Sequence, residues 1–162
     1  MIGLYADKVI ETDLPLLVPI CESVRPNVVP YVGEDLRCLM SALRTAYSFI
    51  ALRTRNKVLV KLAQEIRPDL TILVDGVAAR GRRIKPLLRP GARLRGYYLV
   101  EDETQLAGLD GRLVEGLFLN VDRFDPRWVE EALRGRLKCD RCTNCGPVDL
   151  LLCEPYRELE VL

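Results

Sequence analysis

Histidine is absent from all 162 residues. Its absence excludes Ser-His-Asp and Cys-His catalysis, histidine-built zinc sites, HExxH proteases and His-ligated haem. Chemistry is left to carboxylates, cysteine, lysine, arginine and the backbone. Lysine is scarce, five against nineteen arginines, and there are two Met, two Gln and four Asn. Few thermolabile residues beside many charges fit a thermophilic source. No apolar run approaches the roughly 18 residues of a membrane span. Met1-Ile-Gly-Leu-Tyr-Ala runs straight into Asp7 and Lys8, without the basic-then-apolar order of a signal peptide. The expectation is a soluble, cytoplasmic protein without a membrane partner.

What is present suits a packed core. Apolar residues make up 49% and charged residues 29%, a balance that argues against disorder. The length suits one domain with a small appendage. Net charge is +1, so any face for a charged partner must be local.

Five segments read as strands: Ile2 to Ala6, Val28 to Val32, Leu70 to Val74, Leu94 to Val100 and Val114 to Val121. Leu70 to Val74 is nearly all apolar and lies between Pro68 and Gly76, as a buried parallel strand requires. Leu36, Leu39, Met40, Leu43, Tyr47 and Ile50 keep helical spacing, and Leu59, Leu62, Ala63 and Ile66 resume it after a turn at 53–56. Short helices are expected over Arg82 to Leu88 and Thr104 to Leu109. Another should follow Asp125 as cap, with Pro126 at its first position. Residues 11–30 carry four prolines, which argues against a regular helix there. Strands alternating with helices predict an α/β fold, a mainly parallel sheet of about five strands flanked by helices. Its domain spans 1–137, followed by a cysteine-rich tail over 138–162.

Cys139, Cys142, Cys145 and Cys153 are the strongest chemical signal. Three cysteines at x2 spacing can turn their sulfurs to one centre, and a fourth can close the shell. A [4Fe–4S] cluster is the first reading and zinc the second; two disulfides or free thiols are the metal-free alternative. The fourth cysteine follows seven residues after the third, against three in bacterial ferredoxin spacing. Cys21 and Cys38 read as buried thiols, with a disulfide as the alternative.

Arg80, Arg82, Arg83, Lys85, Arg89, Arg93 and Arg95 place seven cations in sixteen residues with no acid among them. Arginine forks grip phosphate. The first five are therefore candidate anion-binding residues for a nucleic acid or a phosphorylated ligand, unless they pair with the acids between Glu101 and Glu115. Gly76 and Gly81 have P-loop spacing, but no Gly-Lys-Ser/Thr follows, which rejects a nucleotide site of that type. Asp7, Asp75, Asp102 and Asp122 each follow an expected strand. In a parallel sheet they would share one rim, where they could hold Mg²⁺ for phosphate-ester chemistry or simply cap the next turn. The leading reading is a protein with a metal-bearing tail and an arginine face for a phosphate-bearing partner. The alternatives are a Mg²⁺-dependent enzyme on a phosphate ester, an electron-transfer protein and a metal-free interaction domain. No residue pattern specifies a reaction.

Overall fold

The computed structural model describes residues 1–139 and 146–153, and the backbone of 159–161. Eight strands, each parallel to the next, close into a barrel in chain order: β1 (Ile2–Tyr5), β2 (Leu16–Val18), β3 (Val28–Val32), β4 (Phe49–Thr54), β5 (Thr71–Gly76), β6 (Ile84–Leu88), β7 (Gly96–Val100) and β8 (Val114–Asn120). Closure is made by β1 against β8, from Ile2 beside Leu117 to Tyr5 beside Asn120.

The open sheet of five strands is thereby corrected. All five expected strands are present, and three more lie between them. β2 is three residues long, between Pro15 and Pro19. β4 begins where the helical spacing of residues 36–50 seemed to continue; the helix stops at Thr45. β6 carries Pro86 and occupies the stretch expected as a helix over 82–88. Each of the three is too short or too irregular to announce itself. Each gains its hydrogen bonds from neighbours on both sides, which only the assembled sheet provides.

Four helices line the outside. They are α1 (Leu36–Thr45), α2 (Lys57–Ile66), α3 (Glu103–Ala107) and α4 (Pro126–Leu133). Asp35, Asn56, Asp102 and Asp125 cap them by accepting backbone N–H bonds, and Pro126 opens α4. These helices follow β3, β4, β7 and β8. The links β1–β2, β2–β3, β5–β6 and β6–β7 hold no helix. An eight-stranded α/β barrel ordinarily takes about 250 residues; dropping half the helices is how this chain closes one with 162.

Alternation along the strands sorts side chains into an inner and an outer set. Leu17, Val29, Ala51, Leu73, Leu87, Leu99 and Phe118 fill the middle of the barrel, so it is a packed core and not a channel. Outside, β3 to β6 pack on α1 and α2 through Leu39, Leu43, Ile50, Leu52, Val60 and Ile72. β7, β8, β1 and β2 pack on α3, α4 and the segment beyond. Gly76 ends β5 at φ 128°, and a Cβ there would lie 2.4 Å from the Thr54 carbonyl oxygen, so β4 and β5 approach closely only because this residue is glycine.

The C-terminal segment contributes β9 (Leu137–Cys139), α5 (Pro147–Leu151) and β10 (Leu159–Val161), with β10 antiparallel to β9. Leu150 and Leu151 join the same core as β1 and β8. Cys139 and Cys153 form a disulfide and are both buried. That overturns the four-cysteine metal site: a sulfur in a disulfide is no thiolate ligand, and two of the four are consumed. Cys142 and Cys145 lie outside the described residues. Among the described residues no group of three or more Cys, Asp or Glu could hold a metal ion, so the iron–sulfur, zinc and Mg²⁺ expectations all fall. Cys21 and Cys38 are also bonded, pinning the β2–β3 link to α1, and Cys21 is exposed, not a buried thiol. Among the described residues no helix is long and apolar enough to cross a membrane.

Candidate functional site

Parallel strands all deliver their C-terminal ends to one mouth, where barrels of this architecture carry their ligand sites. Position alone is an analogy; the side chains carry the argument. Above the apolar middle layer, the next inward positions are Tyr5 on β1, Tyr31 on β3, Arg53 on β4 and Asp75 on β5, then Arg89, Glu101 and Asn120 at the ends of β6, β7 and β8. The inner wall thus changes from apolar to polar within one layer on every strand but β2, where Pro19 takes the corresponding position.

These side chains form two linked groups. In the first, the Tyr31 hydroxyl donates to Asp75 Oδ2, and the Arg89 guanidinium donates to the same oxygen at 3.1 Å. Tyr31 lies beside Ala51 in the sheet, whose small side chain leaves its ring room to reach β5. In the second, Asn120 Nδ2 donates to Glu101 Oε2 at 2.6 Å, and the Glu101 backbone N–H donates to Gln105 at 2.8 Å. Tyr5 sits between them, in register with Asn120. Burial, and then the charges of Asp7 and Glu101, push its hydroxyl above the usual tyrosine range, while Arg89 and Arg53 pull the other way. The Tyr5 hydroxyl therefore feels both groups.

Arg53 is the exception. It stands in register with Asp75, yet Asp75 is already engaged by Tyr31 and Arg89. Arg53 is exposed and has no hydrogen bond or ion pair among the described residues. Its guanidinium lies over the end of β3, 3.9 Å from where a Cβ on Gly33 would be.

Burial, and then the hydrogen bond to Asp75, push the Tyr31 hydroxyl up to about 12. The neutral phenol is the form favoured by folding, so its contribution is fully present below about pH 10 and is lost as pH rises toward 12. In an alkaline absorbance titration one tyrosine should ionise near pH 12, and Tyr31→Phe should remove that late step. The stability gap between the two proteins should close over the same range. If every phenol of the native protein ionises near pH 10, the Tyr31–Asp75 bond is not made in solution.

The expected site residues are scattered. Of the four acids, only Asp75 points into the mouth. Asp102 caps α3, Asp122 is exposed in the turn after β8, and Asp7 is exposed beyond β1, near enough to act on Tyr5. The cations do not form one surface either. Arg80, Arg82 and Arg83 lie on the exposed β5–β6 link, and Arg83 donates to the Asp69 carbonyl. Lys85 points inward at the opposite end of the barrel, where it and Arg95 pair with Glu115 at 3.4 and 3.2 Å. Arg89 is four residues further along, about 13 Å away at ~3.3 Å per residue, and belongs to the mouth. Tyr5, Tyr31, Arg53 and Asn120 had no place in either set. Their signal was a polar residue two positions beyond an inward apolar one, as in Phe49-x-Ala51-x-Arg53. No family model, curated protein or solved structure matches the chain.

Proposed function

We propose that the protein binds a small phosphate-bearing molecule in the mouth of the barrel, with Arg53 and Arg89 as the anion clamp and Glu101 facing the ligand's hydroxyl groups. The observation that carries this reading is Arg53, an inward arginine with no hydrogen-bond or ion-pair partner among the described residues, beside an aspartate that is already satisfied. A ligand phosphate supplies what Arg53 lacks, in the paired geometry that guanidinium favours. Arg89 is half-shielded and held by Asp75 and Tyr31, so it meets the ligand without reorganising. Glu101 is tethered by Asn120 and oriented to accept hydrogen bonds, which favours a hydroxylated ligand such as a sugar phosphate over inorganic phosphate. The apolar layer beneath forms the floor of the site.

Calorimetric titration with a panel of sugar phosphates, and with inorganic phosphate as the minimal probe, tests the proposal. Arg53→Met should weaken binding by about 10- to 100-fold, since hydrogen bonds to a charged group contribute about 1.5–3 kcal/mol. Arg82→Met and Arg83→Met, on the outer link, should leave it unchanged. The reading fails if no phosphate binds, or if the outer arginines matter as much as Arg53. Binding of RNA or DNA that depends on Arg80, Arg82 and Arg83 but not on Arg53 would instead favour a polyanion face on the β5–β6 link.

A further inference from the structure

The outer wall of the barrel is open beside β6. This strand is flanked by two of the four links that hold no helix, β5–β6 and β6–β7. A groove of about 930 Å³ lies there, between α2 and the β6–β7 link. Its floor is the outward side of β6, namely Ile84, Pro86 and Leu88. Its walls are Val60 of α2 and the link residues Val77 and Leu94. Leu94 is 61% exposed and borders the apolar floor, so it extends the groove's apolar surface. The same groove is bordered by Lys57 and Lys61, one turn apart on α2, and by Arg80, with no carboxylate among its lining residues.

We infer that this groove docks an amphipathic helix of a partner protein, its apolar side on β6 and its acidic flank against Lys57, Lys61 and Arg80. Two observations choose the occupant. First, the fold repeats one arrangement, a helix laid along the outside of a strand, as α1 and α2 are laid on the neighbouring strands. The groove is a place where that arrangement is missing its helix, and its floor of Ile84, Pro86 and Leu88 is apolar. Second, the rim carries charge of one sign, so a helix bearing glutamates beside its leucines is drawn in and oriented, while a basic helix is repelled. A nucleic acid fits less well. Single strands are held by bases stacking on aromatic rings, and no aromatic residue lines the groove. The mouth lies inside the barrel and the groove outside it, so the two sites are independent.

The test uses the intact protein and two labelled peptides of about 18 residues, roughly five helical turns. One has leucines at i, i+3, i+4 and i+7 spacing with glutamates on its flanks; in the other, lysines replace the glutamates. Fluorescence anisotropy should show the acidic peptide binding at least tenfold more tightly than the basic one, with the preference shrinking as salt rises from about 0.05 M to about 0.5 M. Leu94→Glu should abolish binding while leaving the unfolding midpoint unchanged, since residue 94 is exposed. Charge reversal at Lys57, Lys61 and Arg80 together should invert the preference between the peptides. Inorganic phosphate at concentrations that fill the mouth should not compete. The inference is overturned if neither peptide binds, if both bind equally, or if Leu94→Glu has no effect. It is also overturned if sedimentation shows a dimer that Leu94→Glu dissociates, because the occupant would then be a second copy of this chain. Competition by single-stranded RNA for the acidic peptide's place would equally replace the helix with a polyanion.

Discussion

Leu73→Asp is expected to leave no folded protein at room temperature. Leu73 is fully buried in the middle layer of the barrel, among Leu17, Ala51, Leu87 and Phe118. Its register neighbour on β6, Lys85, is already paired with Glu115 at 3.4 Å, and the side chains of the layer itself are apolar. An ionised group there would cost more than the fold can supply, and a neutral one would still lack hydrogen-bond partners while leaving a void. A loss above about 4 kcal/mol is expected, set against the 5–15 kcal/mol that ordinarily separates folded from unfolded domains. Leu73→Ala, which removes packing without adding a charge, should cost about 2–5 kcal/mol and leave a measurable transition. Leu94→Asp, exposed on the β6–β7 link, should cost less than about 0.5 kcal/mol. Guanidinium unfolding followed by circular dichroism ranks the three. A Leu73→Asp protein with the parent's midpoint would mean that the barrel interior is not a packed layer.

Breaking both disulfides should destabilise the protein by several kilocalories per mole. Cys21–Cys38 closes a loop with a sequence separation of 17, and Cys139–Cys153 one of 14. Loops of that length restrict the unfolded chain by about 3 kcal/mol each. The two bonds act at distant places. One fastens the β2–β3 link, which has no helix of its own, onto α1. The other holds β9 to Cys153, two residues past α5, so α5 stays packed on α4 and on the core shared with β1. Their contributions should therefore add to within about 0.5 kcal/mol. Unfolding midpoints with and without a phosphine reductant, together with the Cys21→Ser/Cys38→Ser and Cys139→Ser/Cys153→Ser pairs, measure each bond. Equal midpoints in reducing and oxidising buffer would contradict the prediction. So would native protein in which all six cysteines react at once with a thiol probe.

Local signals in the chain were reliable wherever the deciding contacts are local. Asp125 followed by Pro126 marked the start of α4, and the observed cap uses Asp125 to accept from the Arg127 N–H. Val28 to Val32 is a strand with the same ends in sequence and in structure. The turn expected at 53–56 between two helices is instead the end of a strand and a cap: Arg53 and Thr54 finish β4, and Asn56 then caps α2. Asp75 and Arg89 were both singled out, one among strand-end acids and one among cations. Nothing along the chain indicated that they touch, because they meet only when β5 and β6 lie side by side.

The sequence by itself determined that histidine chemistry is absent, that the chain mixes strands with helices, and where caps begin the helices. Each follows from a residue's own backbone preference or from hydrogen bonds within a turn. Only the tertiary structure decided that the sheet closes, through β1 against β8, and that β2, β4 and β6 are strands, because each is held by pairing with the strands on either side. It also decided which side of each strand faces inward. Strands buried on both sides show no polar alternation to read, so Arg53 and Tyr31 became mouth residues only once Ala51 and Val29 were seen inside the barrel. The cysteines followed the same rule. Spacing of x2 is compatible with a metal or a disulfide, and the choice rests on which sulfurs the packed chain brings together: Cys139 with Cys153 at a Cα separation of 6.6 Å, and Cys21 with Cys38 at 4.8 Å.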